Sequence, residues 1–209
     1  MIFDASELSI AAFENIPVFA TRLDLFRECM AIVPPKGQLL EFGVCMGYSI
    51  NSMSKMVAPR LFHGFDSFEG LPEDWVMEVG APMTHPKGCM AVSALPVVEP
   101  NVTLYKGWFN ETLPGWLGSY PGDIAFVHLD ADLYSSTIYV LKELNSRLVP
   151  GSIILFDELS DWVTGTGTRY PNWEEHEWKA LKEWMIQYNR KITLLFRSNC
   201  YQAAIRIEC

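Results

Sequence analysis

Apolar positions recur in two rhythms along this chain. Between Val18 and Val33, the residues Phe19, Leu23, Phe26, Met30 and Val33 are spaced by threes and fours, the period of one helix face, and Pro34-Pro35 forbids continuation. An N-terminal helical segment within residues 1–36 is expected to pack on the rest of the molecule. Short runs that are apolar throughout follow it. These are Gln38-Leu-Leu-Glu-Phe before Gly43, Leu61-Phe-His-Gly-Phe before Asp66, Val102-Thr-Leu-Tyr before Lys106-Gly107, Ile124-Ala-Phe-Val-His-Leu before Asp130, and Ser152-Ile-Ile-Leu-Phe before Asp157-Glu158. Strands without alternation are buried on both faces, as in a parallel sheet covered by helices. Helical stretches from Tyr48 to Val57 and from about Ser135 to Leu148 supply crossovers between them.

The last third changes pattern. Trp178, Leu181, Trp184 and Met185 keep a helix period inside a stretch from roughly Trp173 to Tyr188, and should face the sheet. Ile192-Thr-Leu-Leu-Phe and Tyr201-Gln-Ala-Ala-Ile-Arg-Ile are then joined only by Arg197-Ser-Asn and one cysteine, a connection short enough for an antiparallel hairpin alone. The predicted fold is a doubly wound α/β domain, mostly parallel, finished by an antiparallel C-terminal hairpin. No repeat or low-complexity linker divides the 209 residues, so one domain over 1–209 is expected.

Ligands of open α/β sheets bind outside the carboxyl ends of the strands. Here those ends carry Glu41 with Gly43 and Gly47, Asp66, Gly107, Asp130, and Asp157 with Glu158. Acids and glycines end strands in any protein, yet five such ends together favour a ligand site. Glu41-x-Gly-x-x-x-Gly lacks the third glycine of a pyrophosphate-binding turn, which disfavours a nicotinamide dehydrogenase. Asp66, a little over twenty residues beyond the loop, suits a carboxylate on ribose hydroxyls, so adenosine without a pyrophosphate is the implied cofactor. Asp130, Asp157 and Glu158 could form a hard oxygen site for magnesium, or merely cap helices and loops.

Charge and composition narrow the partners. Twenty-five acidic against 16 basic side chains give a net charge of -9, with no surplus of cations for a nucleic acid. The apolar runs are too short to span a membrane, and acids stand where a secretory signal would be basic, so a cytoplasmic protein is expected. The five cysteines lack CxxC spacing and read as free thiols. Among the four histidines, His63 and His128 lie inside apolar strands and read as satisfied core residues. His85 and His176 lie in segments that could cover the ligand edge. Trp75 and Trp162, both in loops, are candidates for an acceptor pocket.

Four longer segments resemble a known family. Leu39-Leu-Glu-Phe-Gly-Val-Cys-Met-Gly-Tyr-Ser49 is similar to the first motif of class I S-adenosylmethionine-dependent methyltransferases. Phe65-Asp-Ser-Phe-Glu-Gly-Leu-Pro-Glu-Asp-Trp75, Lys106-Gly-Trp-Phe-Asn-Glu-Thr-Leu-Pro114 and Leu129-Asp-Ala-Asp-Leu-Tyr-Ser-Ser-Thr137 resemble the macrocin O-methyltransferase family. The resemblance implies a Rossmann-like seven-stranded sheet and a magnesium-assisted O-methyltransferase using S-adenosyl-L-methionine. Its acceptor would be a hydroxyl of a small molecule such as a sugar or glycosylated metabolite. Carried over by position, Glu41, Gly43, Tyr48 and Ser49 would meet the methionine part, Asp66 the ribose, and Ser67, Gly107, Trp108 and Phe109 the adenine. Asp130, Asp157 and Glu158 would hold Mg2+, although the family usually has two adjacent aspartates where this chain has Asp-Glu. Tyr170-Pro-Asn-Trp-Glu-Glu-His-Glu177 departs from the family's antibiotic enzymes, so their acceptor is not implied.

Asp130 is the expected base, with His176 in reserve. Two other readings stand beside this one: a metal-independent methyltransferase with a histidine base, and a non-catalytic adenosine-binding module. A homo-oligomer is compatible with the sequence.

Overall fold

The computed structural model describes residues 1–77, 84–160 and 170–209. Seven strands carry the architecture: β1 (Gln38–Phe42), β2 (Phe62–Asp66), β3 (Val102–Lys106), β4 (Ile124–Leu129), β5 (Leu148–Phe156), β6 (Ile192–Ser198) and β7 (Ala203–Ile207). They lie in the order β3-β2-β1-β4-β5-β7-β6. The first five are parallel, β7 runs antiparallel to β5, and β6 runs antiparallel to β7. Two short strands extend the far edge: Ile2–Phe3 pairs antiparallel and Val18–Phe19 parallel with β6, giving nine strands in the sheet.

Apolar runs without alternation serve two cores. Leu40, Val127, Leu129, Ile154 and Phe156 pack on one face, while Leu39, Phe126, Ile153 and Leu155 pack on the other. Helices α1 (Arg22–Ile32) and α2 (Tyr48–Val57) cover the second face, burying Phe26, Cys29, Ile50 and Met53 there. Helices α3 (Phe109–Ser119), α4 (Tyr134–Leu144) and α5 (Glu177–Tyr188) cover the first. Trp178, Leu181, Trp184 and Met185 of α5 are all buried against the sheet, as their period predicted.

Element boundaries differ from expectation where local chemistry intervenes. Helix α1 begins at Arg22 because the Thr21 side chain accepts the Asp24 amide at 3.1 Å, and the Val18 stretch is diverted into the sheet. Helix α4 stops at Leu144, and a 3-10 turn, Asn145–Arg147, leads into a longer β5. That strand survives Pro150-Gly151 because Ser152 Oγ accepts the Val149 amide at 2.9 Å and donates to the Ile124 carbonyl at 2.5 Å. Helix α3 is not evident in the sequence, since Pro114 and Gly115 sit at its middle. No helix among the described residues is long and apolar enough to cross a membrane.

Candidate active site

The chain runs outward from β1 to β2 and β3, then returns to β4 and β5 on the other side, so the tips of β1 and β4 form the switch point of the sheet. There the backbones touch. Gly43 has φ +91°, and a Cβ on it would lie 1.7 Å from the Asp130 carbonyl oxygen. Successive tips are laced together, with Gly43 N–H on Phe65 O, Asp130 N–H on Phe42 O and Asp157 N–H on Leu129 O, at 2.8 to 2.9 Å.

Asp66 closes the glycine loop. Its Oδ2 accepts the Val44 and Cys45 amides at 2.8 and 2.7 Å, and its Oδ1 accepts the Phe68 amide at 2.6 Å. One carboxylate thereby fixes the loop that leads into α2 through Gly47, whose φ is +78°. Outside the tips opens a cavity of about 570 Å³, a volume ordinary for a cofactor with part of a second ligand. Gly43, Asp66, Ser67, Trp108, Phe109 and Asp130, all singled out from the sequence, line it together.

The other wall was not anticipated. It comprises Leu71 and Met90 from the connection after β2, Asp132, and Ser135 and Tyr139 from the first turns of α4. The signal was present in Asp130-Ala-Asp-Leu-Tyr-Ser-Ser: a second acid two residues on, then hydroxyls at the start of a helix.

A chain of buried and half-buried charges leads away from the cavity. Glu41, fully enclosed, accepts the Ser49 hydroxyl at 3.0 Å and faces His128 Nδ1 at 3.0 Å. His128 Nε2 reaches Asp157 Oδ1 at 3.4 Å. The same oxygen accepts Arg22 Nη2 at 2.7 Å, and Arg22 Nη2 continues to Asp130 Oδ2 at 3.1 Å. Asp157 Oδ2 accepts Gln202 Nε2 at 3.2 Å. Burial opposes the charge on His128, but hydrogen bonds to Asp157 and Glu41 win and raise its pKa to about 10. Burial likewise opposes the Asp157 carboxylate, which His128 and Arg22 nevertheless hold down at about 2.

Asp132 and Glu158 lack such support, and Asp130 has it from Arg22 on one oxygen alone. Burial and the Asp157 charge push Asp132 up to about 7 and lift Asp130 and Glu158 well above the usual carboxylate range. Carboxylate oxygens of Asp130, Asp132 and Glu158 lie within 4.8 Å of one another, and Glu158 Oε2 is buried with no hydrogen-bond partner among the described residues. An oxygen-only donor set around an unpaired buried oxygen fits a hard divalent cation. His128, Asp130 and Asp157 form a second group of the same size. The expected trio Asp130, Asp157 and Glu158 is thus split between a compensated half and an uncompensated one.

The remaining candidates sit apart from the cavity lining. Tyr48 is exposed at the start of α2, Ser49 is tied to Glu41, and Gly107 donates its amide to the Asp66 carbonyl at 3.0 Å. His176 packs against Tyr170 and Trp75, with Nε2 at 3.3 Å from the Val76 carbonyl, and burial lowers its pKa. His85 stacks on Trp75, which is itself buried and donates to the Tyr170 hydroxyl at 3.0 Å. His63 lies in an aromatic box remote from the acids. Trp162 lies outside the described residues.

The family model described as macrocin O-methyltransferase matches residues 16–176. A curated relative from Streptomyces olivaceus, 8-demethyl-8-(2,3-dimethoxy-alpha-L-rhamnosyl)-tetracenomycin-C 4'-O-methyltransferase, is 31% identical over 158 residues, 66% of this chain and 59% of that protein. The match therefore spans less than two thirds of the relative's length. Among solved structures, the calicheamicin methyltransferase CalS11 is similar with a TM-score of 0.64 and 25% identity, over 88% of this chain and 76% of its own. The O-methyltransferase NovP, at 23% identity and TM-score 0.62 over 90% and 80%, shares the fold.

Proposed function

The chain belongs to the macrocin O-methyltransferase family, and on that premise we propose that it is an S-adenosylmethionine-dependent O-methyltransferase acting on a hydroxyl of a sugar or glycosylated small molecule. The observation that carries the reading is the position of Asp130. It lines the cavity that holds the Asp66-clamped glycine loop, and it belongs to the acid cluster. Donor and acceptor sides of the reaction therefore meet at one carboxylate.

Each part follows from a residue in place. Asp66 and the loop it fixes would hold the nucleoside, with Trp108 and Phe109 as its apolar wall. A sulfonium methyl is already electrophilic, so the protein needs to align an acceptor oxygen and remove its proton. Asp130, whose proton affinity is raised by burial and by Asp157, suits that proton transfer. A divalent ion bound among the acids would supply positive charge that acidifies the acceptor hydroxyl. Ser135 and Tyr139, which line the same cavity, would stand on the acceptor's side of it. A cytoplasmic setting, with a small molecule as partner, fits the acidic chain.

Asp130→Asn should abolish methyl transfer while S-adenosylmethionine affinity stays within about tenfold, a tolerance of about 1.4 kcal/mol. His176→Ala should slow transfer less. Near-normal turnover in the Asn variant with a dead His176 variant would assign the proton to the histidine instead. Calorimetry in which neither S-adenosylmethionine nor S-adenosylhomocysteine binds would remove the methyltransferase reading altogether.

A further inference from the structure

We infer that Arg22 is the resident cation of the acid site. Its guanidinium removes Asp157 from the set of metal ligands, so that a divalent ion is held by Asp130, Asp132 and Glu158. The inference rests on the metal-assisted reading above and deepens it.

Arg22 stands at the first position of α1, the end of a helix where a positive charge is disfavoured by the aligned peptide dipoles. Its placement must be explained by what it meets. A single nitrogen, Nη2, touches Asp157 Oδ1 at 2.7 Å and Asp130 Oδ2 at 3.1 Å, so one guanidinium bridges the two carboxylates. Phe26, one turn further along α1, packs beneath the guanidinium at 5.7 Å. A guanidinium keeps its charge at any working pH, so this cation cannot be titrated away.

Asp157 has little left to offer. One oxygen is shared by Arg22 and His128, the other is held by Gln202, and the residue is 3% exposed. A metal on the shared oxygen would stand beside a fixed positive charge. Among the described residues the opposite side of the cluster is short of cations: Glu158 Oε2 is buried with no hydrogen-bond partner there, and Asp132 lines the cavity within ligand range of both Asp130 and Glu158. The backbone supports this use of Asp132, whose φ of 59° is a left-handed turn that a non-glycine residue adopts at a cost. Asp130 joins the two halves, one oxygen on the guanidinium and the carboxylate also within reach of the empty trio.

The test is Mn2+ binding to the full chain, followed by calorimetry and by the spin-resonance signal of the free ion. Asp132→Asn should weaken binding about tenfold or more, and Asp157→Asn by less than about threefold, as expected of a ligand and of a residue outside the ligand set. Arg22→Gln should bind Mn2+ about tenfold tighter, because Asp157 becomes available, and adding Asp157→Asn to that variant should cancel the gain. Arg22→Lys, which keeps the charge, should stay near the parent. An Arg22→Gln protein that binds no tighter, or a parent that loses Mn2+ with Asp157→Asn and keeps it with Asp132→Asn, overturns the inference and leaves the metal reading intact. Absence of Mn2+ binding in both parent and Arg22→Gln at millimolar concentration overturns both.

Discussion

His63 and His128 occupy equivalent places on either side of β1, and their fates are opposite. Each lies inside an apolar strand, and each is fully enclosed. Yet His63 pairs across the sheet with Leu40, whereas His128 pairs with Glu41. One step along β1 is a change of face. His63 looks into an aromatic box of Tyr105, Trp116 and Tyr120, touches the Tyr105 hydroxyl at 3.0 Å, and leaves Nε2 without a partner among the described residues. Burial with no anion near it lowers its pKa to about 4. His128, on the face covered by α1, stands between two carboxylates and is held as a cation. The same residue type in the same kind of strand is therefore a neutral core ring in one place and the centre of a charge relay in the other. What decides is the residue across the strand, which no local pattern reports.

The sharpest way to break this contrast is to remove each ring. His128→Phe would strand Glu41 and Asp157 without their shared cation, and should cost about 3–5 kcal/mol in denaturant unfolding, the usual penalty for breaking a buried ion pair. Equal losses at the two histidines would show that His128 is no more than packing.

Next in size is the response to pH, and here the signs differ. His63 refuses a proton when folded but accepts one near pH 6.5 when unfolded, so its contribution is present above about 6.5 and is lost as pH falls toward 4. At about pH 5 the loss amounts to about 2 kcal/mol, read as the difference between parent and His63→Phe. His128 binds its proton more tightly when folded, so its contribution is full below about 6.5 and disappears as pH rises toward about 10. Thermal melts of the parent and both variants across this range check both limbs. A flat difference curve for His63 would mean that the ring is charged in its box.

Smallest is His63→Phe at neutral pH, expected within about 1 kcal/mol because only one neutral hydrogen bond is given up. A loss as large as that at His128 would require a partner for Nε2 beyond those seen.

Sequence pattern was sufficient where function rides on regular structure. The five parallel strands, the C-terminal hairpin and the buried face of α5 are legible because burial on two faces, a short connection and a helical period leave direct traces. Helix α3 left none, since Pro114 and Gly115 speak against it locally and only packing of Leu113 and Trp116 on the sheet overrides them. The strand-tip acids were visible for the same reason as the strands. Arg22 was not: it reaches partners 108 and 135 positions away, and on a helix pattern it reads as an ordinary surface cation. Asp132 was overlooked beside Asp130 because spacing alone does not say that a left-handed turn will bring both to one cavity.

The contact between Gly43 and the Asp130 carbonyl gives the molecule a built-in ruler. The loop that would carry the methyl donor and the carboxylate that would receive the acceptor's proton are spaced by two main chains in contact, with no side chain between them to lengthen or trim. Redesign of acceptor range therefore has to work on the surrounding walls, at Leu71, Met90, Ser135 and Tyr139, while the span across which a group is handed over stays set by the backbone itself.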